Sequence, residues 1–422
     1  MSVSRRDFNR LALAGLAGLA AAGSGVAVAA PSPDERKFLF VYARGGWDYS
    51  YVFAPLFDNP YCDMDPTATT AEEGGLPFVD SEGRPSVRTF MERYGNRTLF
   101  VNGYEIASVT HPRCAQILLT GKAGAIRDDF PSILAASSPV NLLMPYAVLS
   151  GPAYTASSVV RVGSDQQLPT LLNGSILQRG QTRFSLPSTE SDALVDAFVQ
   201  ERAAAYASTA GRGRTQRYAQ SHDHVLGQIQ DVYGLGDPAA LFDSTVPGTT
   251  QLTTAVKLLT LGLSRCVMLQ DDGMYDMSWD THAVNSDQNH HFELLFQKLL
   301  DIVAALDGAT SIAGNRLSDE VVVVVLSEMG RDPRLNNSSG KHHWTWTSAM
   351  LLGPGITGGR AIGGFDEFVT GEKVDHDSGE LSSTGTTLSA SDLGATLLML
   401  GGVDPAEHLP EGKPILGIIT DV

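Results

Sequence analysis

Short, almost wholly apolar runs punctuate this chain, and most of them end at glycine or at a polar cluster. Residues 37–42 read Lys-Phe-Leu-Phe-Val-Tyr, and the same texture returns at 98–103, 145–150, 265–270, 320–326 and 348–352. The sharpest is 320–326, five valines and a leucine behind Glu320. Runs of this length without in–out alternation predict strands covered on both faces, as in a parallel sheet. Segments of helical period lie between them. At 289–306, Phe292, Leu295, Phe296, Leu299, Leu300 and Val303 fall on one face. Residues 252–263 and 391–400 also read as helices, the latter capped by Ser389 or Ser391. Strands alternating with helices predict an α/β fold, a three-layer α/β/α sandwich around a central, mostly parallel sheet.

Two stretches break this rhythm. Residues 151–250 are rich in Ser, Thr, Gln, Gly and Ala and read as a cap or insertion, with helices at about 189–206 and 216–233. The rest of 31–422 is expected to form one domain around it. The first thirty residues join Arg5-Arg6 to an apolar stretch at 11–28, the small residues Ala27-Val28-Ala29, and Pro31. That order predicts a twin-arginine signal peptide over 1–30 and passage through the twin-arginine translocase. The mature protein is then expected to be periplasmic or secreted. No later stretch is long enough to cross a bilayer, so no stable membrane span is expected after cleavage.

Charge narrows the partners. The formal net charge is −17, and the leader holds three Arg and one Asp, so its removal takes the charge to −19. Nucleic acid and anionic membrane are excluded on that ground. An anionic substrate would need a metal ion or a local cation to reverse the field. Cys62, Cys114 and Cys266 have neither zinc-site nor redox spacing; Cys266 reads as core, and a Cys62–Cys114 disulfide is open to an oxidising compartment.

Polar residues gather just after the predicted strands, at the carboxyl edge where open α/β sheets build their sites. Asp48 follows the Gly45-Gly46 turn, and Thr110-His111 follows the second strand. Asp276, Asp280 and His282 come after the fourth strand, Glu328 and Arg331 after the valine strand, and His342-His343 shortly beyond. Carboxylates and imidazoles arriving from separate segments are what a divalent metal requires. Each also has a plainer reading. Asp48 could cap a helix, His111 could bond a loop, Glu328 could pair with Arg331, and His290 and His291 could cap the helix that they open. Asp280 and His282, two apart on an extended segment, point the same way; of the His342-His343 pair, His343 is favoured as the inward one. Arg331 and Arg334 could grip an anion or form surface ion pairs. Trp344 and Trp346 could wall a pocket or pack in the core.

Several of these segments together resemble a family. Trp279-Asp280-Thr281-His282-Ala283, Ser327-Glu328-Met329-Gly330-Arg331-Asp332-Pro333-Arg334 and Gly340-Lys341-His342-His343-Trp344 look like the signatures of the exported bacterial "domain of unknown function 1501" proteins. That family is in turn similar to the alkaline phosphatase and sulfatase superfamily. Asp48 falls where that superfamily has a metal-binding Asp, and 117–122 resembles the helix after its nucleophile. Residues 351–359 and 391–403 resemble two of its structural motifs. The resemblance implies an alkaline-phosphatase-like fold and a divalent metal (zinc, calcium or manganese) held by Asp48, Asp280, His282, Glu328 and His343. Thr110, His111 and Arg331 would be the catalytic residues, with Thr110 or an activated water attacking and Arg331 holding the anion. The substrate would be a small anionic ester or a glycan. Two departures stand out: no C-x-P-S-R motif is present, and the usual Asp-His metal pair reads Glu328-Met329. The implied function is an exported metal-dependent hydrolase of phosphate or sulfate esters; the alternative is a non-catalytic exported binding protein that keeps the fold.

Overall fold

A computed structural model describes residues 31–124, 126–140, 142–156, 189–209 and 250–421. The leader at 1–30 and the expected helix at 216–233 lie outside the described residues. The chain divides into two compact units, the larger made of Pro31–Asp165 and Gly248–Val422. Its strands are β1 (Lys37–Ala43), β2 (Thr69–Glu73), β3 (Leu76–Asp80), β4 (Thr98–Glu105), β5 (Tyr146–Val148), β6 (Cys266–Asp271) and β7 (Val321–Ser327). Six more follow: β8 (Gly330–Arg331), β9 (His343–Trp344), β10 (Trp346–Leu352), β11 (Arg360–Gly363), β12 (Lys373–Val374) and β13 (Thr386–Ser389). The helices are α1 (Pro85–Tyr94), α2 (His111–Thr120), α3 (Phe130–Ala136), α4 (Thr189–Thr209), α5 (Gln251–Thr260), α6 (Asp287–Gly308) and α7 (Ala390–Leu400). Of the smaller unit, which includes Gln166–Pro247, the described part is α4, a helix free of Gly and Pro.

The central sheet has nine strands in the order β12-β13-β4-β10-β7-β1-β6-β5, with β11 beside β4. β5, β6, β1 and β7 run parallel, with Phe38 opposite both Cys266 and Val322. The side-chain period of two explains why β1 shows no polar face. Phe38, Phe40 and Tyr42 join one core cluster with Leu118 of α2, Phe130 of α3 and Leu397 of α7. On the opposite face Phe53 meets both Phe100 of β4 and Phe292 of α6, while Phe90 of α1 meets Phe296 of α6. The result is an α/β/α sandwich with a mostly parallel sheet. No helix among the described residues is long and apolar enough to cross a membrane.

Inside the sheet β10 breaks the direction, running antiparallel to both its neighbours, β4 and β7, while at the edge β12 runs antiparallel to β13. A parallel partner needs a crossover connection, commonly a helix. The link from β7 to β10 contains only β8 and β9, so the chain turns back at the sheet edge instead. Apolar content predicts the strand and is blind to its direction. The three cysteines are free and buried, so Cys62 and Cys114 are not bridged.

Packing between α7 and α3 yields a test. A Cβ added at Gly394 would enter the ring of Phe130, which is itself buried. Gly394→Ala should therefore destabilise by about 1–3 kcal/mol through overpacking, although alanine is the better helix former. A lower urea midpoint with an unchanged slope is the expected reading.

Candidate metal centre

β1, β4, β6 and β7 all deliver their following loops to one edge of the sheet, and antiparallel β10 begins there. Asp280, His282, Glu328, His111 and His343 meet at that edge. His111 opens α2 with Thr110 as its N-cap residue, and His343 arrives on β9. Gly45 permits the close approach of the first loop to the third: its φ is +120°, and a Cβ would stand 2.6 Å from the Trp279 nitrogen.

Asp280 is the hub. Its Oδ1 lies 3.1 Å from His282 Nε2 and 3.2 Å from His343 Nε2, and the two imidazole nitrogens are 2.9 Å apart. Its Oδ2 lies 3.3 Å from His111 Nε2. Donors about 2.1 Å from a shared ion stand roughly 3.0–3.4 Å apart, so this triangle has the spacing of a metal's ligand face. His111, Asp280 and His343 likewise offer donor atoms that all lie within 4.8 Å of one another.

The ring protons sharpen this reading. His343 Nδ1 stands 2.6 Å from the Val109 carbonyl, which can only accept, so the proton of the neutral ring sits on Nδ1. Nε2 then turns a bare lone pair toward a carboxylate oxygen. His111 repeats the arrangement, with Nδ1 3.0 Å from Glu328 Oε1 and Nε2 toward Asp280. Lone pairs facing a carboxylate call for a proton or a metal ion between them, and a second ring nitrogen bonded to a carbonyl or carboxylate is how metal-binding histidines are oriented. The residues present therefore fit a divalent ion. Without one, protons serve: hydrogen bonds to Asp280 and then to Glu328 push the His111 pKa up to about 9. Burial alone would raise Asp280, but hydrogen bonds from His111 and His343 and the Arg331 charge hold it far below the usual carboxylate range. Burial lowers His282.

Two expected residues take other parts. Arg331 does not reach toward an anion: it is fully buried and its donors are spent inside the protein. Nε donates to the Gly46 carbonyl at 2.8 Å and Nη1 to that of Lys341 at 3.2 Å; Nη2 donates to the Gly45 and Trp279 carbonyls and, at 2.6 Å, to Asp280 Oδ1. Asp48 faces Lys341: its Oδ2 is 2.7 Å from the ammonium, with both side chains buried. Asp48 also caps the 3-10 turn at Tyr49–Tyr51 through Ser50. Glu328 stands behind His111, and its Oε1 also accepts from the Gly45 nitrogen at 2.7 Å. Thr110 is exposed, with its hydroxyl 3.4 Å from that of Ser108. Met329, the sequence's departure from the usual Asp-His pair, is core.

Other candidates have plainer contacts. His342, just before β9, is exposed beside His282. His291 is buried and accepts from the Met274 nitrogen, and Arg334 pairs with Asp63 at the surface. Trp344 donates to the Val369 carbonyl.

Beside the cluster opens a cleft of about 400 Å³ whose lining includes His111, Asp280 and Glu328 as well as Tyr42, Tyr154 and Pro152. Burial, and next the Glu328 charge, push the Tyr42 phenol well above its ordinary value. Sequence reasoning missed Tyr42, Tyr154 and Lys341. Tyr42 reads as strand core, and nothing local marks Lys341 as the partner of an acid in the first loop.

Among solved structures, the zinc complex of the C-terminal periplasmic domain of EcEptC from Escherichia coli shares 9% identity over 90% of this chain and 86% of that one, with a TM-score of 0.37. A protein in the alkaline phosphatase superfamily from Vibrio parahaemolyticus shares 8% over 87% and 67%, at 0.35. BT1596, a 2-O GAG sulfatase, shares 11% over 92% and 76%, at 0.34. No curated protein matches the sequence. The family model for a protein of unknown function, DUF1501, matches residues 196–417. That stretch is more than half of the chain and carries Asp280, His282, Glu328, Arg331 and His343, so this protein belongs to the DUF1501 family.

Proposed function

We propose that this protein is an exported, metal-dependent hydrolase of phosphate or sulfate esters. The observation that carries the reading is the triangle of Asp280 Oδ1, His282 Nε2 and His343 Nε2, with sides of 2.9–3.2 Å, beside a cleft lined by His111. Imidazoles with one carboxylate suit zinc or manganese better than calcium, which takes oxygen donors. When bound, such an ion polarises the ester and supplies the positive charge that an acidic protein otherwise lacks. The chain's own residues do the rest. Glu328 holds the His111 ring in register, Arg331 fixes the Asp280 carboxylate, and the Tyr42 and Tyr154 side chains flank the space for a small anionic ester or a glycan. Water is the nucleophile best supported, since Thr110 is exposed and has no base beside it among the described residues. The leader supports passage by the twin-arginine translocase to the periplasm or beyond.

Protein purified without chelator should carry zinc or manganese and hydrolyse a chromogenic phosphate or sulfate ester. Chelation should abolish turnover, and an Asp280→Ala/His282→Ala variant should lose the ion. A metal-free protein inert on both ester classes overturns this reading. The second reading, a binding protein without catalysis, is favoured by the lack of an oriented side-chain nucleophile among the described residues; it predicts a retained ion and no turnover.

Proton release gives a separate check. With the His111 pKa raised to about 9, the ring is protonated at pH 7 in the metal-free protein, so ion uptake should expel about one proton. Titration calorimetry in two buffers of different ionisation enthalpy measures this directly. Zero proton release at pH 7 would remove His111 from the ligand set.

A further inference from the structure

The pocket around Asp48 has the donors of a cation site and already contains a cation. Lys341 Nζ sits 2.7 Å from Asp48 Oδ2 and 3.4 Å from Ser50 Oγ, fully buried. Asn285 Nδ2 donates to the same Oδ2 at 2.7 Å, and Ser50 donates to Oδ1 from its hydroxyl at 2.6 Å and its nitrogen at 3.1 Å. Gln288 Oε1 accepts from the Asp48 nitrogen at 3.0 Å, which fixes the loop that carries the carboxylate. A carboxylate and a hydroxyl thus converge on one ammonium group. We infer that Lys341 is a tethered cation filling what would otherwise be a second divalent-metal position, so that this protein holds one ion, at Asp280, and none at Asp48.

The backbone shows how the lysine is delivered. Gly340 passes so close to His282 that a Cβ there would strike the His282 carbonyl, and the Lys341 nitrogen donates to the Thr281 carbonyl at 3.1 Å. Two residues on, His343 reaches the Asp280 cluster, so one extended segment brings a fixed cation to Asp48 and an imidazole to Asp280. Arg331, whose Nη1 donates to the Lys341 carbonyl, neutralises Asp280 as Lys341 neutralises Asp48. Each acid has its own resident cation. Asp280 alone also has imidazoles arrayed for an ion.

The inference rests on the metal reading above, and counting ions per chain separates the two. Wild-type protein equilibrated with zinc or manganese should hold one ion by native mass spectrometry. Lys341→Ala, which leaves Asp48 buried and unpaired, should melt lower in chelator, regain stability with added metal, and hold two. The double variant Asp48→Asn/Lys341→Met removes both charges and should fold with one ion. A wild-type chain holding no ion sinks the metal reading itself. A wild-type chain holding two, or a folded Lys341→Ala chain that holds one and gains no more from metal than the wild type, overturns the inference alone. Should Lys341→Ala stay unfolded even with metal, that too counts against it, because an ion is required to replace the ammonium.

Discussion

Asp280→Asn should cut ester hydrolysis severely and release the metal while leaving the chain folded. The carboxylate faces four partners at once: Arg331, His111, His282 and His343. An amide keeps the shape but removes the charge, and its NH2 presents protons where Arg331 or an imidazole needs an acceptor. Loss of an anionic ligand should lower kcat/KM by about a thousandfold, equivalent to roughly 4 kcal/mol of transition-state stabilisation. The pH behaviour of the metal-free protein should change too. Asp280 is held below its unfolded pKa, so its contribution to stability is present above about pH 4 and lost as the pH falls further. His111 is raised, so its contribution is full below about pH 6.5 and lost as the pH climbs through about 9. Melting curves from pH 3 to 10 on chelated wild type should fall away at both ends. In Asp280→Asn the alkaline fall should shrink, because the largest cause of the His111 shift has gone. An unchanged alkaline limb would count against the assignment.

Arg331→Met should damage the fold more than the chemistry alone requires. The guanidinium bonds the Gly45 and Gly46 carbonyls of the loop after β1, the Trp279 carbonyl and Asp280 after β6, and the Lys341 carbonyl before β9. Methionine fills similar volume and satisfies none of these, leaving buried carbonyls unpaired and Asp280 without its counter-charge. A loss of about 3–5 kcal/mol is expected, read as a fall in the urea midpoint. Arg331→Lys should recover only part of it, since one ammonium cannot reproduce a planar fork aimed at three loops. If Arg331→Met were as stable as wild type and only weaker for substrate, the residue would be an anion-binding group after all.

How much of this was legible in the chain follows from what each signal is made of. The strands at 37–42, 265–270 and 320–326 were plain because both faces are covered, which leaves an unbroken apolar run. The direction of β10 was hidden, since it depends on the absence of a crossover helix between β7 and β10. At the candidate centre, the meeting of Asp280, His282 and His343 was foreshadowed by residue type and by alternation along extended segments. Asp48 was undecided: a carboxylate after a glycine turn looks the same whether a metal or a lysine answers it, and Lys341 belongs to a distant loop. Arg331 was ambiguous for the same reason, because sequence shows a cation near a rim and says nothing of five inward bonds. The His111 partners, Glu328 and Asp280, came into view only when three separate loops were folded together.

The turnback between β7 and β10 carries a consequence for how the centre would come apart. Glu328, Arg331, Lys341 and His343 all ride on that one excursion of chain, which crosses no face of the sheet and is pinned by few ladder bonds of its own. Its detachment would strip the imidazole from Asp280, the ammonium from Asp48 and the fork from three carbonyls in a single event. Amide protons of 330–344 should therefore exchange together, as one cooperative unit, and slow together when the ion is supplied.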